Sequence, residues 1–206
     1  MTMFQLFLNG TPFSYFIQVL PVTAVVGVIY GIIRFRQRKN NGISFSWKEV
    51  VLFLFVCYLT GLVALVLTPQ NLWSTMWFYL FYGFPGSHIG PLFVFDFNFT
   101  PTILSVLRGE LILGEWVKTM LFLNFLMFVP MGIFLRLLLK KTFQKYIVGI
   151  ALAITLAVEL LQPIVGRSFD IDDIILNTLG TLCGWVLCFI LTYPIRKKLY
   201  RRLPIH

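Results

Sequence analysis

The sequence predicts an all-α protein: a polytopic transmembrane bundle of five spans, N-terminus outside and C-terminus inside, with a long aromatic outer loop between spans 2 and 3. Three observations lead there. The 206-residue chain is 58% hydrophobic and 12% charged, whereas a soluble domain has about 25% charged residues. Five apolar runs approach the roughly 20 residues that a helix needs to cross about 30 Å of hydrocarbon. The basic residues cluster in alternate connections, and cytoplasmic loops are the ones that retain Lys and Arg.

Span 1 covers 13–33 and contains Pro21, which a membrane helix tolerates because neighbouring groups re-satisfy its backbone. The polar segment "RFRQRKNNGISFSWKE" follows, with turn-forming Asn-Asn-Gly and charges that stay in water. Span 2 covers 50–68. The outer segment 69–117 is far from hydrophilic: it holds "WSTMWFYLFYGF", "PLFVFDFNFTP" and "TILSVLRGELILGEW". Trp and Tyr favour the headgroup level, so this loop is expected to lie on or dip into the outer leaflet. Within it, 102–117 reads as an interfacial helix with Ile103, Leu104, Leu107 and Leu111 on one side. Spans 3, 4 and 5 cover 119–138, 146–164 and 173–193.

The orientation rests on where charge falls. Arg34, Arg36, Arg38, Lys39 and Lys48 follow span 1; Arg136, Lys140, Lys141 and Lys145 join spans 3 and 4; Arg196, Lys197, Lys198, Arg201 and Arg202 form the tail. That sets fourteen of the seventeen basic residues on one side, and seven of the eight acids on the other with Arg108, Lys118 and Arg167. The net charge of +9 does not point to nucleic acid, since the cations flank spans rather than forming one face; attraction to anionic lipid accounts for them. "MTMFQLFLNGTPFSYF" lacks the basic start of a cleaved signal peptide. Cys57, Cys183 and Cys188 lie within spans and read as apolar packing residues. With no internal repeat, residues 1–206 are expected to form a single membrane domain.

Four of the eight acids fall in "ELLQPIVGRSFDIDDIILNTLG", between two apolar runs. At about 100° per residue, Asp170, Asp173, Asn177, Gly180 and Gly184 share an arc of about 80° on span 5, with Asp172 about 100° away from Asp173. Thr155, Glu159 and Gln162 share an arc of about 60° on span 4. At about 1.5 Å per residue, Glu159, Asn177 and Asn124 of span 3 each lie roughly 6–8 Å below the outer surface. Polar groups at that depth face one another or a water-filled cavity, not lipid. An outward-facing polar pocket is therefore expected, lined by Asn124, Glu159, Gln162, Asp170, Asp173 and Asn177.

More local roles are open to each residue. Asp170 followed by Asp173 has the spacing of a helix N-cap with an acidic third residue. Asn124 and Asn177 suit interhelical hydrogen bonds, and Gly180 and Gly184 suit close helix packing. Pro130 and Gly132 in "FVPMG" are likewise packing positions, Pro130 removing a hydrogen bond to the Leu126 carbonyl. Glu159 has no cap to make and sits one turn inside the membrane; Glu159 and Asp173 are the candidate acid and base should the site be catalytic. No Ser-His or Cys-His nucleophile accompanies them. Mg²⁺ bridging Asp170 or Asp173 to a lipid phosphate is chemically reasonable, but "DIDD" has no second acidic motif on another helix, so no cofactor and no metal ligand are assigned.

Taken in order, "NFTP" (98–101), "NFLMFVPMGIFL" (124–135), "VELLQ" (158–162), "RSFDIDDIILNTLG" (167–180) and the "CGW" around Gly184 resemble the VanZ-like family of bacterial membrane proteins, over about 50–193. The resemblance implies a multi-pass protein of the cell membrane that lowers susceptibility to teicoplanin and related lipoglycopeptides, which act on peptidoglycan precursors at the outer face. It also implies that Asn124, Glu159, Gln162, Asp170, Asp173 and Asn177 are the family's polar motif. The expected partners are membrane lipids and a lipid-linked peptidoglycan precursor or the lipoglycopeptide itself. Two other readings stay open: a membrane-embedded enzyme acting on a polyprenyl or phospholipid phosphate, and a proton-coupled transporter.

Overall fold

A computed structural model describes residues 12–42, 44, 46–85, 88–109, 112 and 114–200. Leu111 of the expected interfacial face lies outside the described residues, as do Arg201 and Arg202 of the basic tail. Five helices are long and apolar enough to cross a membrane: Phe13–Asn41, Trp47–Val66, Val117–Leu138, Lys141–Val165 and Ile171–Tyr193. Among the described residues, the regular structure is all helical apart from one two-residue parallel pairing. In order it forms α1 (Pro12–Asn41), α2 (Trp47–Val66), α3 (Leu72–Tyr82), β1 (Phe97–Asn98), α4 (Thr102–Leu107), α5 (Glu115–Leu138), α6 (Ile147–Leu161), β2 (Phe169–Asp170) and α7 (Ile171–Tyr200). A 3₁₀ turn at Lys141–Tyr146 leads into α6 and another at Gln162–Val165 leaves it.

Two elements differ from the sequence reading. The helix expected over 102–117 stops at Leu107. Gly109 takes a left-handed φ of +72°, open to glycine at no steric cost, and Gly114 is extended before α5 begins. The segment between spans 2 and 3 also contains α3, which no periodicity announced. It starts after Asn71 and ends at Gly83, both left-handed. Its 11 residues rise only about 16 Å, too short to cross a bilayer.

Two compact units divide the chain. One comprises the residues up to Phe99 together with Ala157–Asp170; the other comprises Thr100–Leu156 and the chain from Ile171. In the first unit, α1 and α2 meet at Gly27, where a Cβ would come within 2.9 Å of Cys57 Sγ. Two indoles tie α3 in: Trp77 Nε1 donates to the Gln18 carbonyl at 2.8 Å, and Trp73 Nε1 to the Ala64 carbonyl at 2.5 Å. Arg167 reaches the C-terminus of α2 and donates to the carbonyls of Leu65 (2.9 Å) and Val66 (3.4 Å). A cation there satisfies carbonyls that have no helical partner and lies at the negative end of the helix dipole.

In the second unit, α5 and α7 pack backbone against backbone. A Cβ at Gly180 would collide with the Phe125 carbonyl, at Gly184 with that of Val129, and at Gly132 with that of Thr181. Pro130 lies within α5, two residues before Gly132, and the helix continues through it. The end of α5 is closed by Gln144, whose Nε2 donates to the carbonyls of Arg136 (3.1 Å) and Leu139 (3.2 Å). Gln144 Oε1 in turn accepts from the Arg136 guanidinium. That guanidinium is stacked 4.9 Å from the centroids of both Trp185 and Phe189, so cation–π contact and hydrogen bonding offset its burial.

Candidate functional site

The six residues of the expected pocket fall in two clusters, one in each unit. In the first, Glu159 projects from the last turns of α6 and is fully buried. Its Oε2 accepts the backbone N–H of Asp170 at 3.2 Å. With the Gln162 amide oriented so that its nitrogen faces acceptors, Gln162 Nε2 donates to Glu159 Oε2 at 2.9 Å and to the Ser168 carbonyl at 3.3 Å. A buried carboxylate is tolerable only when it is hydrogen-bonded, and here its bonds fold the chain back on itself between 159 and 170. Pro163 cannot donate a helical hydrogen bond, so α6 tightens into the 3₁₀ turn. Gly166 then turns the chain at φ +80°.

The loop 88–99 runs along this turn. Phe93 and Val94 N–H groups donate to the carbonyls of Ile164 (3.2 Å) and Pro163 (3.0 Å), and the Phe169 N–H to that of Asp96 (2.8 Å). Strands β1 and β2 pair in parallel, Phe97 opposite Phe169 and Asn98 opposite Asp170. That register brings Asn98 Nδ2 within 3.3 Å of both carboxylate oxygens of Asp170. Gly166 is buried so close to Pro91 that a Cβ would strike the Pro91 carbonyl. Around this pairing Phe97, Phe99 and Phe169 form a triangle of rings, 5.5–6.0 Å between centroids, and Phe93, Phe95 and Phe99 are largely exposed.

In the second unit, Asn124 Nδ2 donates to Asp173 Oδ1 at 2.5 Å, linking α5 to the first turn of α7. Asn177 follows one turn along α7 and is 4% exposed; its Oδ1 has no hydrogen-bond partner among the described residues. Deeper on the same helix, Thr181 Oγ1 donates to the Asn177 carbonyl (2.9 Å), and Thr178 and Thr155 share a buried hydroxyl–hydroxyl bond of 3.0 Å. The half-buried Asp173 carboxylate and the Asn177 amide oxygen are both acceptors, so this face of α7 suits a ligand rich in hydroxyl, amide or ammonium donors. Among the described residues, no three His, Cys, Asp or Glu side chains converge in a metal-binding group.

Three residues outside the expected set also take part. Asp172 is 7% exposed, and both of its carboxylate oxygens accept the Thr102 backbone N–H. Asn98 lies in the "NFTP" piece, but only the strand pairing reveals its bond to Asp170. Arg167 serves the end of α2.

Long apolar helices carrying buried, hydrogen-bonded acids and amides define a multi-pass membrane protein. Residues 55–192 match the model of the VanZ/LLP1 family, and the chain belongs to that family. No curated protein and no solved structure matches it.

Proposed function

We propose that this chain acts in the cell membrane to lower susceptibility to teicoplanin and related lipoglycopeptides, by binding at the outer leaflet either a lipid-linked envelope component or the drug. Family membership supports the setting. The observation that carries the binding role is the α5–α7 cluster, where Asp173, held by Asn124, is half-buried beside the unsatisfied acceptor of Asn177. Leaving a buried acceptor unsatisfied costs about 1–3 kcal/mol, and a donor-rich sugar, peptide or ammonium group would recover that. Glu159, Gln162 and Asp170 shape the adjoining chain segments in their own unit.

The test is expression in a susceptible Gram-positive host. The teicoplanin inhibitory concentration should rise with the wild-type chain, and Asp173→Asn should lose that protection at equal membrane abundance. Glu159→Gln should lower protection and abundance together, because it disturbs the turn. Full protection by both variants at equal abundance would remove the polar clusters from the mechanism.

A further inference from the structure

Between α1 and α2, within the first unit, runs a groove of about 870 Å³. On α1 its lining repeats at three- and four-residue steps, from Leu20 through Gly27 and Gly31 to Phe35, which is one face of a helix. Gly27 forms a closed floor against Cys57, whereas above Gly31 an added Cβ would meet nothing nearer than Phe53 at 3.7 Å. Val28 and Phe35 stand exposed on the rim. Apart from Thr23, whose hydroxyl donates to the Val19 carbonyl, the walls are apolar until the end of the groove, where Arg36 and Lys39 complete the lining.

We propose that this groove holds one anionic glycerophospholipid, an acyl chain over the glycine floor and the phosphate against Arg36 and Lys39. Charge complementarity decides the occupant. Arg34, one turn from the mouth, already pairs with Glu49 at 2.6 Å, while among the described residues no acid pairs with Arg36 or Lys39. From Gly27 to Lys39 the helix rises about 18 Å, close to the roughly 15 Å of a single leaflet. The cations therefore fall at headgroup level when the glycine floor lies in hydrocarbon. A second copy of this chain fits less well: packed in parallel, its Arg36 and Lys39 would meet the same cations at the same depth, with no acid between them. The groove lies almost entirely before residue 55, outside the family match, and the proposal does not depend on the function proposed above.

Full-length protein in a zwitterionic detergent, titrated separately with dioleoylphosphatidylglycerol and dioleoylphosphatidylcholine and read by native mass spectrometry, tests the assignment. One phosphatidylglycerol should be retained per chain in preference to phosphatidylcholine. Arg36→Ala with Lys39→Ala should weaken its retention by about 25-fold, two cations at roughly fivefold each. Gly31→Leu fills the groove without changing charge or requiring an unusual φ, and should block retention while the melting temperature stays at or above wild type. Equal retention of the two lipids, or unchanged phosphatidylglycerol binding by Gly31→Leu, would overturn the proposal. So would a dimer that Gly31→Leu dissociates, or displacement of the bound lipid by an equal concentration of a polyprenyl phosphate.

Discussion

Both oxygens of Asp172 accept the Thr102 backbone N–H, at 3.0 and 2.8 Å, and this carboxylate fixes where α4 begins. Asp172→Ala leaves that N–H without its acceptor, and a buried unsatisfied donor costs about 1–3 kcal/mol. The melting temperature of the purified protein should fall, by roughly 2–4 °C per kcal/mol at this chain length. Asp172→Asn keeps an acceptor oxygen and should fall less; if alanine and asparagine melted alike, the bond would not be the cause. The helical wheel discarded Asp172 because it measures angle about one axis only. What covers that face comes from Thr102, 70 residues away in sequence, and nothing in the α7 pattern encodes it. Glu159 was more legible: an acid one turn inside an apolar run must be bonded internally, and it is fully buried. Its partners were only half visible, since Gln162 shares its helix face while the Asp170 N–H reaches it around a turn.

Among elements, spans were legible and short segments were not. Twenty apolar residues can satisfy their backbone in lipid only as a helix, so composition alone dictated the five long helices. In α3, by contrast, the aromatic side chains suit an interfacial loop as well as a helix, and its limits are set by left-handed Asn71 and Gly83. The α5–α7 contact gives the sharpest element-level test. Gly184→Leu would drive a side chain into the Val129 carbonyl; overpacking of this kind costs typically about 1–3 kcal/mol, and here the obstacle is backbone, which cannot rotate away. Gly149→Ala on α6 is the control, with nothing within 4 Å of its added Cβ. It should be neutral or stabilising by up to about 1 kcal/mol, because alanine is the better helix former. Thermal unfolding in detergent should separate the two in opposite directions. Similar losses from both would mean that the glycines matter for something other than close approach.

For the whole molecule, the sequence distributes charge more informatively than it distributes contacts. The pairing of Asn98 with Asp170 depends on loop 88–99 lying along the turn after α6, a long-range match that only the folded chain reveals, whereas the basic flanks are local and read directly. Fourteen cations on one set of connections predict a cytoplasmic C-terminus, because Lys and Arg near span ends resist translocation. Helix α5 allows this to be tested within one unit. Its 24 residues rise about 36 Å, enough to cross about 30 Å of hydrocarbon, so residues just before and just after it must lie on opposite sides. Ile112 is 94% exposed and Phe143 51% exposed. With Cys57, Cys183 and Cys188 replaced by alanine, Ile112→Cys should react with a membrane-impermeant maleimide on intact cells. Phe143→Cys should react only after the cells are opened. The reverse pattern would invert the chain and turn the first turn of α7, with Asp173, toward the cytoplasm, out of reach of a drug that acts outside. Labelling of both positions on intact cells would mean that α5 does not span at all.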